Sequence, residues 1–164
     1  MIFATCGSSP MKFDRMMSAL EALPPEELIV QHGPSPAPRC AAAYPYLPFG
    51  EIVELMRQAD VVVSHAGVGS IMCALQAGRI PVVFPRLKRY SETVDDHQAE
   101  LAHALADRGT VLVASSAEDL ARAVRSVPPP AHHGAFPENG LRQAVHAAIH
   151  GAGSRGLRAY ALAR

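Results

Sequence analysis

The sequence has no excess of charge of either sign: fifteen Lys and Arg balance fifteen Asp and Glu. Composition therefore gives no reason to expect nucleic acid or an anionic membrane as the main partner. A local basic patch does exist at Arg86-Leu87-Lys88-Arg89. Cysteine is sparse. Cys6, Cys40 and Cys73 form an odd set with no metal-type spacing, and a reducing cytoplasm is the simplest reading. No apolar run approaches the ~20 residues that cross a bilayer. The start, Met1-Ile2-Phe3-Ala4-Thr5, lacks the charged n-region and long apolar stretch of a signal peptide. The expectation is a soluble chain whose membrane link, if it has one, comes through a partner.

What is present suits one ordinary domain: 164 residues, 49% of them apolar. Met1–Cys6 reads as a short buried strand running into Gly7-Ser8-Ser9-Pro10. Phe13, Met16, Met17, Leu20 and Leu23 carry helical spacing, which Pro24-Pro25 ends. Leu28-Ile29-Val30 reads as a second strand, 33–38 as a proline-rich loop, and Tyr44–Phe49 as a third strand. Glu51–Gln58 reads as a helix. Val61-Val62-Val63 is the strongest segment, a β-branched run suited to a strand buried on both faces. A helix is expected from Ser70 through Gln76, closed by Gly78. Pro81–Pro85 and Thr110–Val113 read as strands, and Glu92–Asp107 and Ala117–Val127 as helices. This alternation predicts an α/β fold, a single Rossmann-like parallel sheet flanked by helices. After Pro130 the chain changes character. Leu141–His150 could form one more helix, and 151–164 is a Gly-, Ala- and Arg-rich tail.

In such a sheet, ligands sit outside the carboxyl ends of the strands. Gly7-Ser8-Ser9 and His65-Ala66-Gly67-Val68-Gly69-Ser70 both fall there. Glycines let the backbone approach a ligand closely. A helix starting near Ser70 offers unpaired N–H groups and a positive dipole end, where an anion such as a diphosphate fits. The same residues could be mere turn geometry, with Ser70 only a cap. The P-loop pattern is absent, and Met72 stands where a full Gly-x-Gly-x-x-Gly needs its last glycine. A P-loop nucleotidase and a nicotinamide dinucleotide site are thereby disfavoured. Asp95-Asp96-His97-Gln98 could be an acidic first helical turn, or a set of donors and acceptors suited to sugar hydroxyls. His146 and His150, four apart, suggest no third metal ligand.

Three ordered motifs together resemble a known family. They are Ser64-His65-Ala66-Gly67-Val68-Gly69-Ser70, Gly78-Arg79-Ile80-Pro81-Val82-Val83-Phe84-Pro85 and Asp96-His97-Gln98-Ala99-Glu100-Leu101-Ala102. With Met1–Gly7 and Phe13-Asp14-Arg15, they are similar to the donor-binding half of GT-B glycosyltransferases of family 28, over roughly residues 1–127. They resemble in particular the small catalytic subunits of split, two-component transferases. The resemblance implies that residues 1–150 bind a nucleotide sugar. It implies a UDP-sugar donor as substrate, no cofactor and no required metal. The partner would be a membrane-associated, acceptor-binding subunit handling a lipid-linked acceptor. The chain would be cytoplasmic, peripheral to the membrane through that subunit, and the sugar transfer inverting.

By position, Gly67, Val68, Gly69 and Ser70 would contact the diphosphate, with His65 as the catalytic residue beside it. Gly7 and Ser8 would line the cleft toward the acceptor half. Phe49 and Ile52 would border the uracil, and Asp96, His97 and Gln98 would hold the donor sugar. Cys73 stands where many members of the family have a glutamate gripping the ribose, and a thiol cannot accept two strong hydrogen bonds. No general base stands out, and the resemblance places it on the partner. Two other readings stay open: a non-catalytic nucleotide-sugar-binding module, and a half-sized relative of sugar-nucleotide epimerases using Asp95 and Asp96.

Overall fold

Val61-Val62-Val63 lies where its residue types demand, inside a parallel sheet covered on both faces. The computed structural model describes residues 1–129. Strands β1 (Ile2–Thr5), β2 (Leu28–Gln31), β3 (Ala42–Tyr44), β4 (Val61–Ser64), β5 (Val82–Val83) and β6 (Leu112–Val113) are separated by helices, except that a loop alone joins β2 to β3. The helices are α1 (Asp14–Leu20), α2 (Phe49–Gln58), α3 (Val68–Gln76), α4 (His97–Ala106) and α5 (Ala117–Ser126). The strands form one six-stranded parallel sheet in the order β3-β2-β1-β4-β5-β6. β1 is central, with Ile2 opposite both Leu28 and Val61.

Side chains of a strand point alternately to its two faces, and the core divides accordingly. Ile2, Ala4, Leu28, Val30 and Val63 pack with Met16, Leu20 and Leu120 of α1 and α5. Phe3 and Val62 turn the other way, onto Met56 of α2 and Ala74 of α3. Val83 joins Ile71, Leu75 and Leu105 beneath α3 and α4. Gly78 and Gly109 follow α3 and α4 with φ of 72° and 68°, the left-handed geometry that ends helices.

Several boundaries differ from the sequence expectation: α2 starts at Phe49 rather than Glu51, and β5 and β6 are shorter than Pro81–Pro85 and Thr110–Val113. The third strand is Ala42–Tyr44, not Tyr44–Phe49. Pro45 and Pro48 have no N–H for a ladder, and Pro45 contributes only its carbonyl, to Gly33 N at 2.9 Å. The β4 turn helix starts at Val68 rather than Ser70. The helix expected from Glu92 starts at His97, after a short 3-10 turn over Lys88–Tyr90. Ser91 is left-handed at φ 56°, which breaks helical propagation. The expected helix Leu141–His150, its His146/His150 pair and the boundary between 150 and 151 lie outside the described residues.

α5 carries a side-chain cap at its start: Ser116 Oγ accepts from Asp119 N at 3.1 Å. Ser116→Ala should lower stability by about 1 kcal/mol, read as a drop in urea midpoint at constant slope.

Candidate functional site

The strand order reverses between β1 and β4, so the crevice of an open α/β sheet lies outside their carboxyl ends. The turns holding Gly7 and His65 face each other across it. His65 N donates to Thr5 O at 3.1 Å. The imidazole then lies between two glycines. A Cβ on Gly7 would stand 2.4 Å from His65 Cε1, and one on Gly67 would stand 2.3 Å from Nε2. Gly7 also has a φ of +78°, where a side chain is strained in any case. His65 is half-buried, and its Nδ1 is buried with no hydrogen-bond partner. Burial foremost, and Arg86 second, lower its pKa to about 4. At neutral pH the ring is therefore uncharged.

A polar floor fixes the Gly7 turn. Thr5 Oγ1 donates to Gln31 Oε1 at 3.0 Å, and Gln31 Nε2 donates to Gly7 O at 3.1 Å. Gly7 N in turn donates to Thr5 Oγ1 at 3.1 Å. Thr5 and Gln31 are buried, and both were missed from sequence. The only signal was a polar residue closing each buried strand. Ser8, next to this turn, is exposed.

On the β4 side, Gly67 is the N-cap of α3 and no side chain caps the helix. Val68, Gly69 and Ser70 form its first turn, where backbone N–H groups have no helical acceptor. Val68 and Gly69 are exposed and Ser70 is half-buried. Because the helix begins at Val68, Ser70 is not its cap. It sits instead among the free donors at the positive end of the dipole.

The loop from β5 to α4 runs beside these turns, since β5 neighbours β4. Two arginines organise it. Arg15 donates through Nε and Nη2 to the Glu92 carboxylate, at 3.0 and 2.8 Å, and through Nη2 to Pro85 O at 2.6 Å. Arg86 is buried at 1% exposure. Sequence reading placed it only in a basic patch, since arginine is by default a surface residue. Of the expected sugar-binding trio, two members tether the loop. Asp96 Oδ1 accepts from Lys88 N at 2.8 Å, and Gln98 Oε1 accepts from Arg86 N at 3.3 Å. His97 is exposed. Its pKa is raised by the Glu100 hydrogen bond first and by Asp95 second.

Phe49 starts α2 and is 70% exposed at the same edge of the sheet. Ile52, one turn on, is half-buried against the Phe3, Met56 and Val62 cluster. Cys73 packs on that cluster too, and burial pushes its thiol pKa up, so it stays a neutral packing group. The arrangement as a whole can accept an anion at α3, an aromatic ring at Phe49 and hydroxyls near His97. Among the described residues, no group of three His, Cys, Asp or Glu is placed to hold a metal. Among them also, no helix is long and apolar enough to cross a membrane.

The chain is similar to several characterised proteins. The "UDP-N-acetylglucosamine transferase subunit ALG13" of Cryptococcus neoformans is 41% identical over 86 residues, 46% of this chain and 42% of that protein. The subunit of the same name from Yarrowia lipolytica is 37% identical over 65 residues, 40% of this chain and 31% of that protein. The chain thus spans less than half the length of these curated relatives. Among solved structures, the glycotransferase of kitacinnamycin has a TM-score of 0.54 at 19% identity, covering 90% of this chain and 40% of that one. CalG4, the calicheamicin glycosyltransferase, has a TM-score of 0.54 at 15% identity, covering 90% and 37%. At such identities the likeness is one of fold, the Rossmann-like half of a GT-B architecture. The glycosyltransferase family 28 C-terminal domain matches residues 1–139, and the chain belongs to that family.

Proposed function

We propose that this chain is the donor-binding, catalytic subunit of a two-component glycosyltransferase. It takes a UDP-sugar and passes the sugar, with inversion, to a lipid-linked acceptor held by a membrane-associated partner in glycan or polysaccharide synthesis. The chain would then be cytoplasmic and reach the membrane only through that partner. The observation that carries this reading is the His65 ring seated between Gly7 and Gly67 beside the uncapped start of α3. The family membership and the printed names of the relatives support it.

In this reading the N–H groups of Val68, Gly69 and Ser70, together with the Ser70 hydroxyl, take the diphosphate. Charge builds on the leaving UDP as its bond to the sugar breaks. Donors and a dipole already aimed at that charge need no rearrangement to stabilise it. Neutral His65 adds a hydrogen bond rather than a charge. With a pKa of about 4 it is a weak base at neutral pH, so removal of the acceptor proton falls to the partner. Phe49 lies against the uracil, with Ile52 behind it. His97, the Gln98 amide and the remaining Asp96 oxygen serve the sugar hydroxyls. Gly7 and Ser8 face the acceptor side.

Calorimetric titration with UDP and a panel of UDP-sugars tests the site. His65→Ala and Ser70→Ala should each weaken UDP about tenfold or more, the scale of a lost hydrogen bond to a charged group. Unchanged affinity in both variants moves the site elsewhere. Transferase assays test the division of labour. Little turnover is expected from this chain alone and a gain with the partner, whereas robust solo turnover on a lipid-linked acceptor refutes the two-component reading.

A further inference from the structure

The charges beside the crevice do not balance. Half-buried Arg15 and buried Arg86 have one buried carboxylate between them, that of Glu92, and Arg15 takes it. Both Glu92 oxygens are engaged by Arg15, and Oε2 also accepts from Leu87 N at 3.0 Å. Arg86 reaches only the main-chain carbonyl of Glu92, at 3.0 Å. Its other acceptors are neutral carbonyls too: Met11 O at 3.1 Å, Lys12 O at 3.2 Å and Cys6 O at 3.1 Å. Its Nε is buried with no hydrogen-bond partner, and its face lies 4.4 Å from the Phe13 ring centroid. A cation held this way stays charged but is poorly compensated. The cluster carries one excess positive charge.

The position of that charge has a direction. The carbonyls of Cys6, Met11 and Lys12 flank the turn at Gly7, and Glu92 lies in the loop leading to α4. Through its backbone N–H, Arg86 also holds Gln98. One side chain therefore fastens the β1 turn to the β5–α4 loop from beneath, with a net positive charge under the crevice.

We infer that Arg86 is a positioning residue that holds the β1 turn and the β5–α4 loop in register and, from below and without touching the ligand, attracts the diphosphate of a nucleotide. This rests on the UDP-sugar reading above. A planar fork suits the role better than an ammonium, because four carbonyls are bonded at once.

The test compares UDP with uridine, which shares the base and ribose but has no phosphate. Arg86→Gln should lower the ratio of UDP to uridine affinity about tenfold, the scale of one charge acting over several ångströms in a partly screened site. Arg15→Gln provides a second route that leaves the Arg86 fork intact. It frees the Glu92 carboxylate to neutralise Arg86 and should lower the same ratio. Arg86→Lys should keep the ratio while weakening both ligands. A purely structural role would weaken UDP and uridine alike in every variant, and an unmoved ratio in Arg86→Gln or in Arg15→Gln overturns the inference. Failure of the wild-type chain to bind UDP would instead sink the reading on which it rests.

Discussion

Adding one methyl group at Gly67 should destabilise the protein by about 1–3 kcal/mol, the usual penalty of overpacking, and removing His65 should abolish that penalty. The Cβ of Gly67→Ala would stand 2.3 Å from His65 Nε2. The ring cannot simply swing away, because Gly7 closes its other side with only 2.4 Å to spare for a Cβ. Backbone strain plays no part at Gly67, whose φ of −79° any residue adopts. The whole cost should therefore sit in the contact with His65. In a double-mutant cycle, Gly67→Ala in a His65→Ala background should fall to within about 0.5 kcal/mol of zero. Gly7→Ala behaves differently. Its φ of +78° leaves a residual of about 1–2 kcal/mol even after His65 is removed. Denaturant midpoints at constant slope measure all four corners, and an equal Gly67→Ala penalty in both backgrounds would refute the wedge.

The second large effect is a pH dependence. His65 titrates at about 4 in the folded chain against an ordinary 6.5. Between those values the unfolded chain binds the proton that the folded chain refuses. Stability should thus be complete above about 6.5 and fall as pH drops toward 4, with no further loss from this group below that. The span corresponds to at most about 3 kcal/mol. His97 has the opposite sign: its pKa is raised, so its contribution is present at low pH and fades as pH rises through its folded value. It is fully exposed, so the net trend follows His65. Thermal or chemical unfolding between pH 4 and 7 should show the slope, and His65→Ala should flatten it. An identical slope in that variant would locate the dependence in other groups.

How much of this was legible in advance depended on how local the cause was. The valine run, the Gly-x-Gly turn and the alternation of strands with helices are short-range signals, and the sheet and the position of the crevice followed from them. Tyr44–Phe49 misled because its aromatic residues outweighed two prolines whose missing N–H groups decide the outcome. Glu92 has the propensity of a helix residue, yet its carboxylate is committed to Arg15, far away in sequence. Arg86 was hidden for a related reason: burying a guanidinium requires several carbonyls that only the folded loops bring together. No local pattern states that the His65 ring will rest on Gly7, because those residues meet only once β4 lies beside β1.

The central placement of β1 also governs how the protein assembles. β1 precedes in the chain both strands that flank it, and its partner on the crevice side is β4. During synthesis it must therefore wait, unpaired on that edge, until Val61–Ser64 has been made. Pairings between segments so far apart close slowly, since chain entropy is lost before any contact is gained. An apolar strand such as Ile2–Thr5 is meanwhile open to association with other chains. The same pairing that creates the crevice also ends this exposure, so the crevice and the safe burial of Ile2–Thr5 arise in a single event.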